Sequence, residues 1–431
     1  MSRLRTLDDL LRDDLRGRPV FVRTDLNVPR DADRILDDTR IRASVPTLLE
    51  LAAAGARVLV FSHYGRPKGK RRADQSLRPL APALADCLGA AVGFADDCVG
   101  EAASAAAAAT PAGGYCLFEN LRFHAGEEAN DPAFAAELTR LADLFVGDAF
   151  GAAHRAHASI VGVPERAKRS AAGRLLAAEV AGLERLLSDP AEPFVAILGG
   201  AKIKGKIETI ENLLPRIDSL LLGGAMANTF LRAQGHSLGA SLYAEDEVDL
   251  AARLLSDAAE RGVPVLLPRD LVVTDRLDGG SAGAAAVGAA AVGAAAVGAA
   301  APPSGAERRI VVCPVDAVPD GFLAVDLGPE TLVAFAAAIA PARTAFWNGP
   351  VGLFETPPFD AGSVRVARAL AACAGYTVIG GGETVAVAAQ AGVTDAIDHV
   401  STGGGASLEL LAGKKLPGVE VLRDGRGAAG A

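Results

Sequence analysis

Short apolar runs recur along the chain and predict a series of buried β-strands. In the first part of the sequence these runs occupy residues 20–22, 58–61, 115–118 and 144–146, and each is followed by a polar or glycine-containing turn. Segments with apolar residues at helical spacing, such as 45–53 and 131–141, lie between several of the runs. Strands that alternate with helices are typical of βαβ units, so we predict a parallel sheet here.

The same alternation restarts further along the chain and predicts a second parallel sheet. Its candidate strands are 194–198, 219–222, 263–267, 344–347 and 377–379. Apolar residues at helical spacing predict a helix over 172–187 between the two sheets, which Ser188, Asp189 and Pro190 end. The pattern therefore predicts an α/β fold with two parallel-sheet lobes joined by a helix.

One segment departs from this pattern, because residues 284–298 repeat Ala-Ala-Ala-Val-Gly three times. A period of five residues suits neither a helix nor a strand, and each glycine in a helix costs about 1 kcal/mol relative to alanine. We expect a surface insertion over residues 283–305 rather than a functional element.

Composition narrows the class of protein. A chain of 431 residues, 50% of them hydrophobic, is long enough for two cores. The net charge of −9 argues against a nucleic-acid-binding protein, and no strongly apolar run approaches the roughly 20 residues that span a membrane. The N-terminus has no apolar signal segment, and the five cysteines form no CxxC pair. We expect a cytoplasmic protein without a zinc site, disulfides, nucleic-acid partners or membrane contact.

Glycine-rich loops in the second half of the chain predict a phosphate site. The loops are 199–206, 223–226, 380–384 and 401–406. Glycine lets backbone N–H groups approach an anion closely, and a helix N-terminus favours negative charge. Because ligands of open parallel sheets bind at the carboxyl ends of the strands, the four loops together predict a polyphosphate site.

The first of these loops nearly matches the P-loop signature. Gly200 is followed after four residues by Gly205 and Lys206, but Ile207 stands where a Ser or Thr would hold Mg²⁺. A P-loop NTPase coupled to another process is therefore the weaker of two interpretations. In the other, Lys202 and Lys206 neutralise the phosphates of a nucleotide in a different fold.

Cationic and polar side chains follow the predicted strands in the first half of the chain. They are Asp25, Asn27, Arg40, His63, Arg66, Arg122, His154 and Arg155. A single arginine is most often a solvated surface charge, but several guanidinium groups at strand ends suit a ligand with phosphate and carboxylate groups. The residues thus favour an enzyme that moves a phosphoryl group between a small anionic metabolite and a nucleotide. A two-lobed protein that binds one anion without transfer is the alternative.

The ordered motifs resemble the phosphoglycerate kinase family over nearly the whole chain. The motifs lie at 23–29, 38–42, 62–67, 119–123, 148–151, 153–159, 199–206, 347–355 and 401–406. The resemblance implies an α/β fold of two Rossmann-like parallel-sheet domains joined by a helix and hinge. It implies a 3-phosphoglycerate-binding domain over 1–175, a nucleotide-binding domain over 176–400, and a C-terminal segment, 401–431, that returns to the N-terminal domain.

The resemblance also implies the reaction. It is reversible phosphoryl transfer between 1,3-bisphosphoglycerate plus ADP and 3-phosphoglycerate plus ATP, direct and in line after hinge closure. The family acts in glycolysis and gluconeogenesis. The resemblance further implies Mg²⁺ bound as Mg-ATP or Mg-ADP and a monomeric enzyme.

Site residues follow position by position from the same resemblance. The 3-phosphoglycerate site comprises Asp25, Asn27, Arg40, His63, Arg66, Arg122 and Arg155. The nucleotide site comprises Gly200, Lys206, Asn348, Glu355, Gly380, Gly381, Gly382, Glu383 and Thr384. Arg40 and Lys202 are the expected catalytic pair on the moving phosphoryl group, while His63 and His154 are expected to orient rather than to exchange protons, because a carboxylate acceptor needs no base.

Four departures from the family pattern alter these expectations. Glu383 stands where aspartate is usual near the metal and nucleotide, and its extra methylene shifts the carboxylate relative to an ion that demands tight geometry. Ala225 replaces a glycine, Ala152 replaces a threonine, and Lys204-Gly205 replace a pair that is small or acidic. Since no expected catalytic cation is lost, we expect activity with altered nucleotide affinity.

Overall fold

A computed structural model of the protein describes residues 2–277 and 308–424. These residues form two compact units. The first unit combines Met1–Ala181 with Lys414–Ala431, and the second is Gly182–Gly413. The expected insertion at 283–305 lies outside the described residues. Within the described ranges, no helix combines the length and apolar character that crossing a bilayer requires.

The first unit is built on a parallel sheet of six strands in the order β5-β6-β4-β1-β7-β8. These strands are β1 (Pro19–Thr24), β4 (Arg57–Phe61), β5 (Val92–Ala95), β6 (Tyr115–Phe118), β7 (Leu144–Asp148) and β8 (Arg169–Ala172), and a small hairpin, β2 (Arg30–Asp31) and β3 (Arg34–Ile35), lies beside them. The central strands read as continuous apolar runs because helices cover both sheet faces. The rings of Phe21 and Phe61, on neighbouring strands, stack with their centroids 3.8 Å apart.

The helices of the first unit pack their apolar sides against this sheet. They are α1 (Leu7–Leu10), α2 (Thr39–Ala53), α3 (Ala81–Leu88), α4 (Gly100–Ala109), α5 (Ala125–Glu128), α6 (Pro132–Thr139) and α7 (Val163–Arg166), and the returning C-terminal segment adds a short helix, Pro417–Glu420. Leu48 and Leu51 of α2 are fully buried together with Val20 and Val22 of β1. Helix α8 (Arg174–Ser188) then contains the boundary between the two units.

A second parallel sheet, in the order β11-β10-β9-β15-β16-β17, forms the centre of the second unit. Its strands are β9 (Phe194–Leu198), β10 (Ser219–Leu222), β11 (Val265–Leu266), β15 (Thr344–Asn348), β16 (Tyr376–Gly380) and β17 (His399–Ser401). An antiparallel sheet lies beside it, made of β12 (Asp270–Thr274), β13 (Ile310–Pro314) and β14 (Leu323–Leu327). The helices are α9 (Ile207–Leu213), α10 (Gly224–Ala233), α11 (Val248–Glu260), α12 (Pro329–Ile339), α13 (Ala361–Ala371), α14 (Gly382–Gln390) and α15 (Gly405–Leu411).

The architecture confirms the expected fold class, but the units divide at different residues from those expected. The boundaries fall after Ala181 and Gly413 rather than after residues 175 and 400. Residues 401–413 stay with the second unit because α15 packs on α9, where the Thr209 hydroxyl donates to the Leu408 carbonyl at 3.0 Å. The return begins at Lys414, and the Arg5 N–H then donates to the Leu422 carbonyl at 3.0 Å.

Candidate active site

The candidate anion site of the first unit lies where four neighbouring strands end. Strands β6, β4, β1 and β7 are adjacent in the sheet and parallel, so the loops that follow them meet at one edge. These loops carry Asp25, His63, Arg122 and Arg155, which are expected substrate residues. The positions predicted from the sequence are therefore brought together by the strand order.

Arg122 is the most constrained cation of this site. Its side chain is only 3% exposed, and its Nη1 donates to the Gly65 carbonyl at 2.7 Å. Its Nε lies 3.3 Å from a carboxylate oxygen of Glu128, whereas its buried Nη2 has no hydrogen-bond partner among the described residues. Burial, followed by repulsion from Arg23 and Arg155, lowers the pKa of Arg122 to about 10. A buried guanidinium with an unused donor points to an anionic ligand.

His63 lies beside Arg122 and is held by Arg23. The Arg23 Nη2 lies 3.1 Å from the His63 Nδ1, and both side chains are buried. Burial and the neighbouring arginines lower the pKa of His63 well below its usual value, so the imidazole is neutral. Because a guanidinium only donates, Nδ1 accepts and the ring proton sits on Nε2. The expected orienting role suits this tautomer, since Nε2–H is left to donate to a ligand.

Asp25, Asn27 and Arg40 form a second part of the same site. The Arg40 Nη1 donates to the Asn27 carbonyl at 2.9 Å and lies 3.5 Å from the Asp25 carboxylate. The Asn27 side-chain oxygen accepts from the Gly65 N–H at 2.9 Å. Since the Gly65 carbonyl accepts from Arg122, Gly65 links the two parts of the site.

The two remaining substrate candidates differ in their surroundings. Arg66 directly follows Gly65 and is exposed. Arg155 is partly buried, and its Nε donates to the His154 Nε2 at 3.1 Å. His154 therefore contacts an arginine of the candidate site, and its orienting role stays a prediction.

A buried chain of polar groups supports this site and was missed from the sequence. The Arg23 Nε donates to the Ser159 hydroxyl at 2.8 Å, and that hydroxyl donates to the Glu127 carboxylate at 2.6 Å. All three side chains are fully buried. Arg23 at the end of the apolar run 20–22 was an available signal, because a charged residue in a buried strand needs a partner. Glu127 and Ser159 gave no such signal.

The candidate nucleotide site of the second unit lies at the ends of β10, β9, β15 and β16, which are adjacent in that order. The loops after these strands are hydrogen-bonded to one another. Gly200 N–H donates to the Pro350 carbonyl at 2.9 Å, and Gly224 N–H donates to the Val351 carbonyl at 2.9 Å. Positive φ angles, +103° at Gly200 and +92° at Gly381, need glycine at these turns.

Asn348 and Thr384 connect the loop after β15 to the loop after β16 through hydrogen bonds. The Asn348 amide donates to the Gly380 carbonyl at 2.8 Å, and the Gly349 N–H donates to the Thr384 hydroxyl at 2.7 Å. Gly382 begins α14, so this loop leads into a helix N-terminus. The structure thus brings together three of the four loops that the glycine pattern singled out, together with the loop after β15.

Lys202 and Lys206 occupy different environments in the loop after β9. Lys202 is exposed, whereas the Lys206 ammonium donates to the carbonyls of Gly199, at 2.5 Å, and Asn348, at 2.9 Å. Burial of the ammonium lowers the pKa of Lys206 to about 8, although the Glu383 carboxylate acts in the opposite direction. Lys206 therefore bridges the loops after β9 and β15 in this structure.

A cavity beside these loops combines an apolar wall with an acidic edge. Its lining includes Leu242, Pro268, Leu271, Leu323, Val325 and Leu353 as well as Gly200, Gly224 and Ala225. Glu355 and Glu383 also line it, and burial followed by repulsion from Glu383 raises the pKa of Glu355. The apolar wall suits a flat base, and two mutually repelling carboxylates near a phosphate site fit a divalent cation.

A separate group, Asp97, Cys98 and His124, has its possible ligand atoms within 4.8 Å of one another in the first unit. The His124 Nε2 lies 2.7 Å from the Asp97 carboxylate, which also accepts from Arg71 at 3.0 Å. Asp97 is thus already paired with two side chains, His124 and Arg71. The sequence did not predict this group because His124 is distant from the other two along the chain.

Comparison with known proteins gives one consistent family. The family model described as phosphoglycerate kinase matches residues 7–414. A phosphoglycerate kinase of Moorella thermoacetica is 50% identical over 419 residues, which cover 97% of this chain and 99% of that protein. A relative from Triticum aestivum named "Phosphoglycerate kinase, cytosolic" is 46% identical over 426 residues, or 98% of this chain and 99% of the relative.

Solved structures give the same result. The phosphoglycerate kinase of Coxiella burnetii aligns with a TM-score of 0.83 at 37% identity, covering 97% of this chain and 99% of that one. The enzyme of Pyrococcus horikoshii aligns with a TM-score of 0.80 at 28% identity, covering 97% and 98% of the two chains.

Proposed function

Because the chain belongs to the phosphoglycerate kinase family, whose members transfer phosphate between a nucleotide and a carboxyl acceptor, we propose a division of that reaction between its two units. The first unit binds 3-phosphoglycerate or 1,3-bisphosphoglycerate through Asp25, Asn27, Arg40, His63, Arg66, Arg122 and Arg155. The second unit binds ATP or ADP through its hydrogen-bonded glycine loops. The observation that carries the first assignment is the buried Arg122 guanidinium with an unused donor.

We propose direct transfer of the phosphoryl group between the two substrates. A carboxylate oxygen is already nucleophilic, so the enzyme has to align the reacting atoms and stabilise the charge on the moving group. Arg40 and Lys202 are assigned to its equatorial oxygens. Their side chains belong to different units, so closure of the protein around both substrates is part of the proposal and would also exclude water.

Mg²⁺ is proposed as a cofactor carried mainly by the nucleotide phosphates. Glu383 is the residue that would hold it, and Glu355 lies near enough for the two carboxylates to influence each other. When bound, Mg²⁺ neutralises phosphate charge. Lys206 and the glycine loops would bind and orient the same phosphates.

One assay separates this function from its two rivals. ATP consumption is measured with Mg²⁺, with and without 3-phosphoglycerate, while 1,3-bisphosphoglycerate is removed by a coupled dehydrogenase. We expect consumption only with the acceptor. Consumption without it would favour an NTPase, and tight acceptor binding without consumption in either case would favour a binding protein.

Nucleotide binding is expected to take up protons near pH 8. In the ligand-free protein the pKa of Lys206 is about 8, so its side chain is neutral in about half of the molecules at pH 8. Phosphate binding favours the charged form. Affinity should therefore fall as the pH rises through 8, with uptake of about half a proton per ADP at pH 8. Calorimetry in buffers with different ionisation enthalpies measures this uptake. Lys206→Arg stays charged and should abolish it, and equal uptake by the variant would contradict the assignment.

Glu383→Gln is expected to change the preference for the metal complex of the nucleotide. The variant should bind Mg-ADP about tenfold or more weakly, because a bond to a charged group is lost, yet bind metal-free ADP no more weakly, because carboxylate–phosphate repulsion is removed. Calorimetry with Mg-ADP and with ADP plus a chelator gives the ratio. Glu383→Asp, which keeps the charge, is the matched control. An unchanged ratio in Glu383→Gln would exclude a metal role.

We also propose a monomeric enzyme of the cytosol. The wheat relative is named as cytosolic, and the five cysteines of the chain are free. Light scattering after size-exclusion chromatography tests the monomer, which should have a mass near 43.8 kDa.

A further inference from the structure

Glu247 is a buried acidic residue that holds the middle of the loop carrying Lys202 and Lys206. Its side chain is 1% exposed. One carboxylate oxygen, Oε2, accepts from the Ile203 N–H at 2.6 Å and from the Lys204 N–H at 3.2 Å. Two backbone donors of the loop therefore converge on one side-chain oxygen.

The same point of the loop is fixed in two further ways. The Ile203 side chain is fully buried, and the Ile203 carbonyl accepts from the Lys206 N–H at 2.7 Å. The backbone between the two lysines is therefore anchored at Ile203. Lys202 precedes that anchor directly, so a displacement of the Ile203 backbone also displaces the Cα atom from which the Lys202 side chain extends.

Glu247 is itself held by elements outside the loop. It ends a short 3₁₀ turn, Glu245–Glu247, and its N–H donates to the Ala244 carbonyl at 3.0 Å. The Ala244 N–H donates to the Thr229 hydroxyl of α10 at 3.1 Å. Helix α11 begins directly after Glu247. The carboxylate therefore holds the glycine loop in a fixed position relative to α10 and α11.

Lys204 provides a contrast within the same loop. Its ammonium contacts the carboxylate of Asp246, and both side chains are more than half exposed. An exposed ion pair contributes little to stability, whereas the bonds to Glu247 are buried and charge-assisted. The unusual lysine at position 204 is therefore explained by a surface contact with the neighbour of Glu247.

We propose that Glu247 is a positioning residue for phosphoryl transfer, because its carboxylate fixes the loop that aims Lys202 at the moving group. This inference rests on the proposed role of Lys202. It predicts a defect in turnover with little change in the KM for 3-phosphoglycerate, because the residues assigned to that substrate lie in the other unit. It also predicts faster hydrogen exchange at the backbone amides of Ile203 and Lys204 when Glu247 is replaced.

The test combines kinetics with amide exchange. In Glu247→Ala, kcat should fall by about tenfold or more, since two bonds to a charged acceptor are lost. The Ile203 and Lys204 amides should exchange faster, while the amides of β9 should not. Glu247→Gln keeps an acceptor of the same reach but without the charge, so its kcat and the protection of the two amides should lie between those of Glu247→Ala and the wild type. Glu245→Gln, an exposed change in the same turn, should match the wild type in both measurements.

Each outcome decides the inference. Wild-type kcat in Glu247→Ala, or unchanged exchange at Ile203 and Lys204, would overturn it and leave the proposed function intact. If Glu247→Ala does not fold, Glu247→Gln decides: its neutral acceptor is weaker, so faster exchange at the two amides with a reduced kcat supports the inference, and wild-type values overturn it. Failure of the proposed role of Lys202 has a different signature, namely wild-type turnover in Lys202→Ala, and failure of the proposed function would appear as ATP consumption that does not depend on 3-phosphoglycerate.

Discussion

Lys202→Ala is expected to lower kcat by a factor on the order of 100 to 1000, the loss that follows removal of one group stabilising transition-state charge. The Kd for ADP should change only a few-fold, because the glycine loops and Lys206 remain. The physical reason is that Lys202 acts on charge that develops during transfer, and binding of the ground-state nucleotide does not need it. Steady-state kinetics and equilibrium ADP titration give the two quantities.

Lys204→Ala is the matched control for this prediction. It removes an ammonium two residues away in the same exposed loop, but that ammonium contacts Asp246. Its kcat should stay within a few-fold of the wild-type value. A large loss in Lys204→Ala, or turnover near the wild-type rate in Lys202→Ala, would mean that the phosphoryl contact is wrongly assigned.

Arg122→Met is expected to weaken substrate binding and to stabilise the ligand-free protein. Losing a charged donor should raise the KM for 3-phosphoglycerate about 10- to 100-fold, with kcat less affected. The buried charge is disfavoured without a ligand, as its pKa of about 10 indicates, so a neutral side chain of similar length should raise the Tm of the free protein. Stabilisation by added 3-phosphoglycerate should shrink in the variant.

The opposite signs of the two effects distinguish a ligand-binding arginine from a structural one. Arg72→Met serves as the control, because Arg72 is exposed and pairs with Asp74 at 3.0 Å. It should change neither KM nor Tm appreciably. A lower Tm and an unchanged KM in Arg122→Met would show that Arg122 supports the fold and not the substrate.

Much of the fold follows from local apolar patterns, and the exceptions have physical causes. The run at 194–198 coincides with β9, which is buried at every position. Of the apolar run at 263–267, only Val265–Leu266 forms a strand. This strand, β11, lies at the edge of the sheet and pairs with one neighbour, β10. The expected boundary at residue 400 missed the packing of α15 on α9, which joins segments about 200 residues apart in sequence.

The residues of the candidate sites likewise fall into those that local sequence motifs predict and those that they do not. Glycine loops and strand-end cations are visible in the sequence because each motif is local, and parallel strand order brings them together. Arg23 and Glu247 contact partners that lie 40 or more residues away in sequence. Glu127 reaches Arg23 through the Ser159 hydroxyl. No local sequence pattern marks such partners. Ala152 is buried, and Ala225 lines the cavity beside the glycine loops.

The stereochemical course at phosphorus tests direct transfer most directly. ATP made chiral at the γ-phosphorus with oxygen isotopes is used to phosphorylate 3-phosphoglycerate, and the configuration of the transferred group is then determined. A single in-line step, in which Arg40 and Lys202 stabilise the moving phosphoryl group, predicts inversion. Retention of configuration would require an intermediate on the protein and would contradict the account.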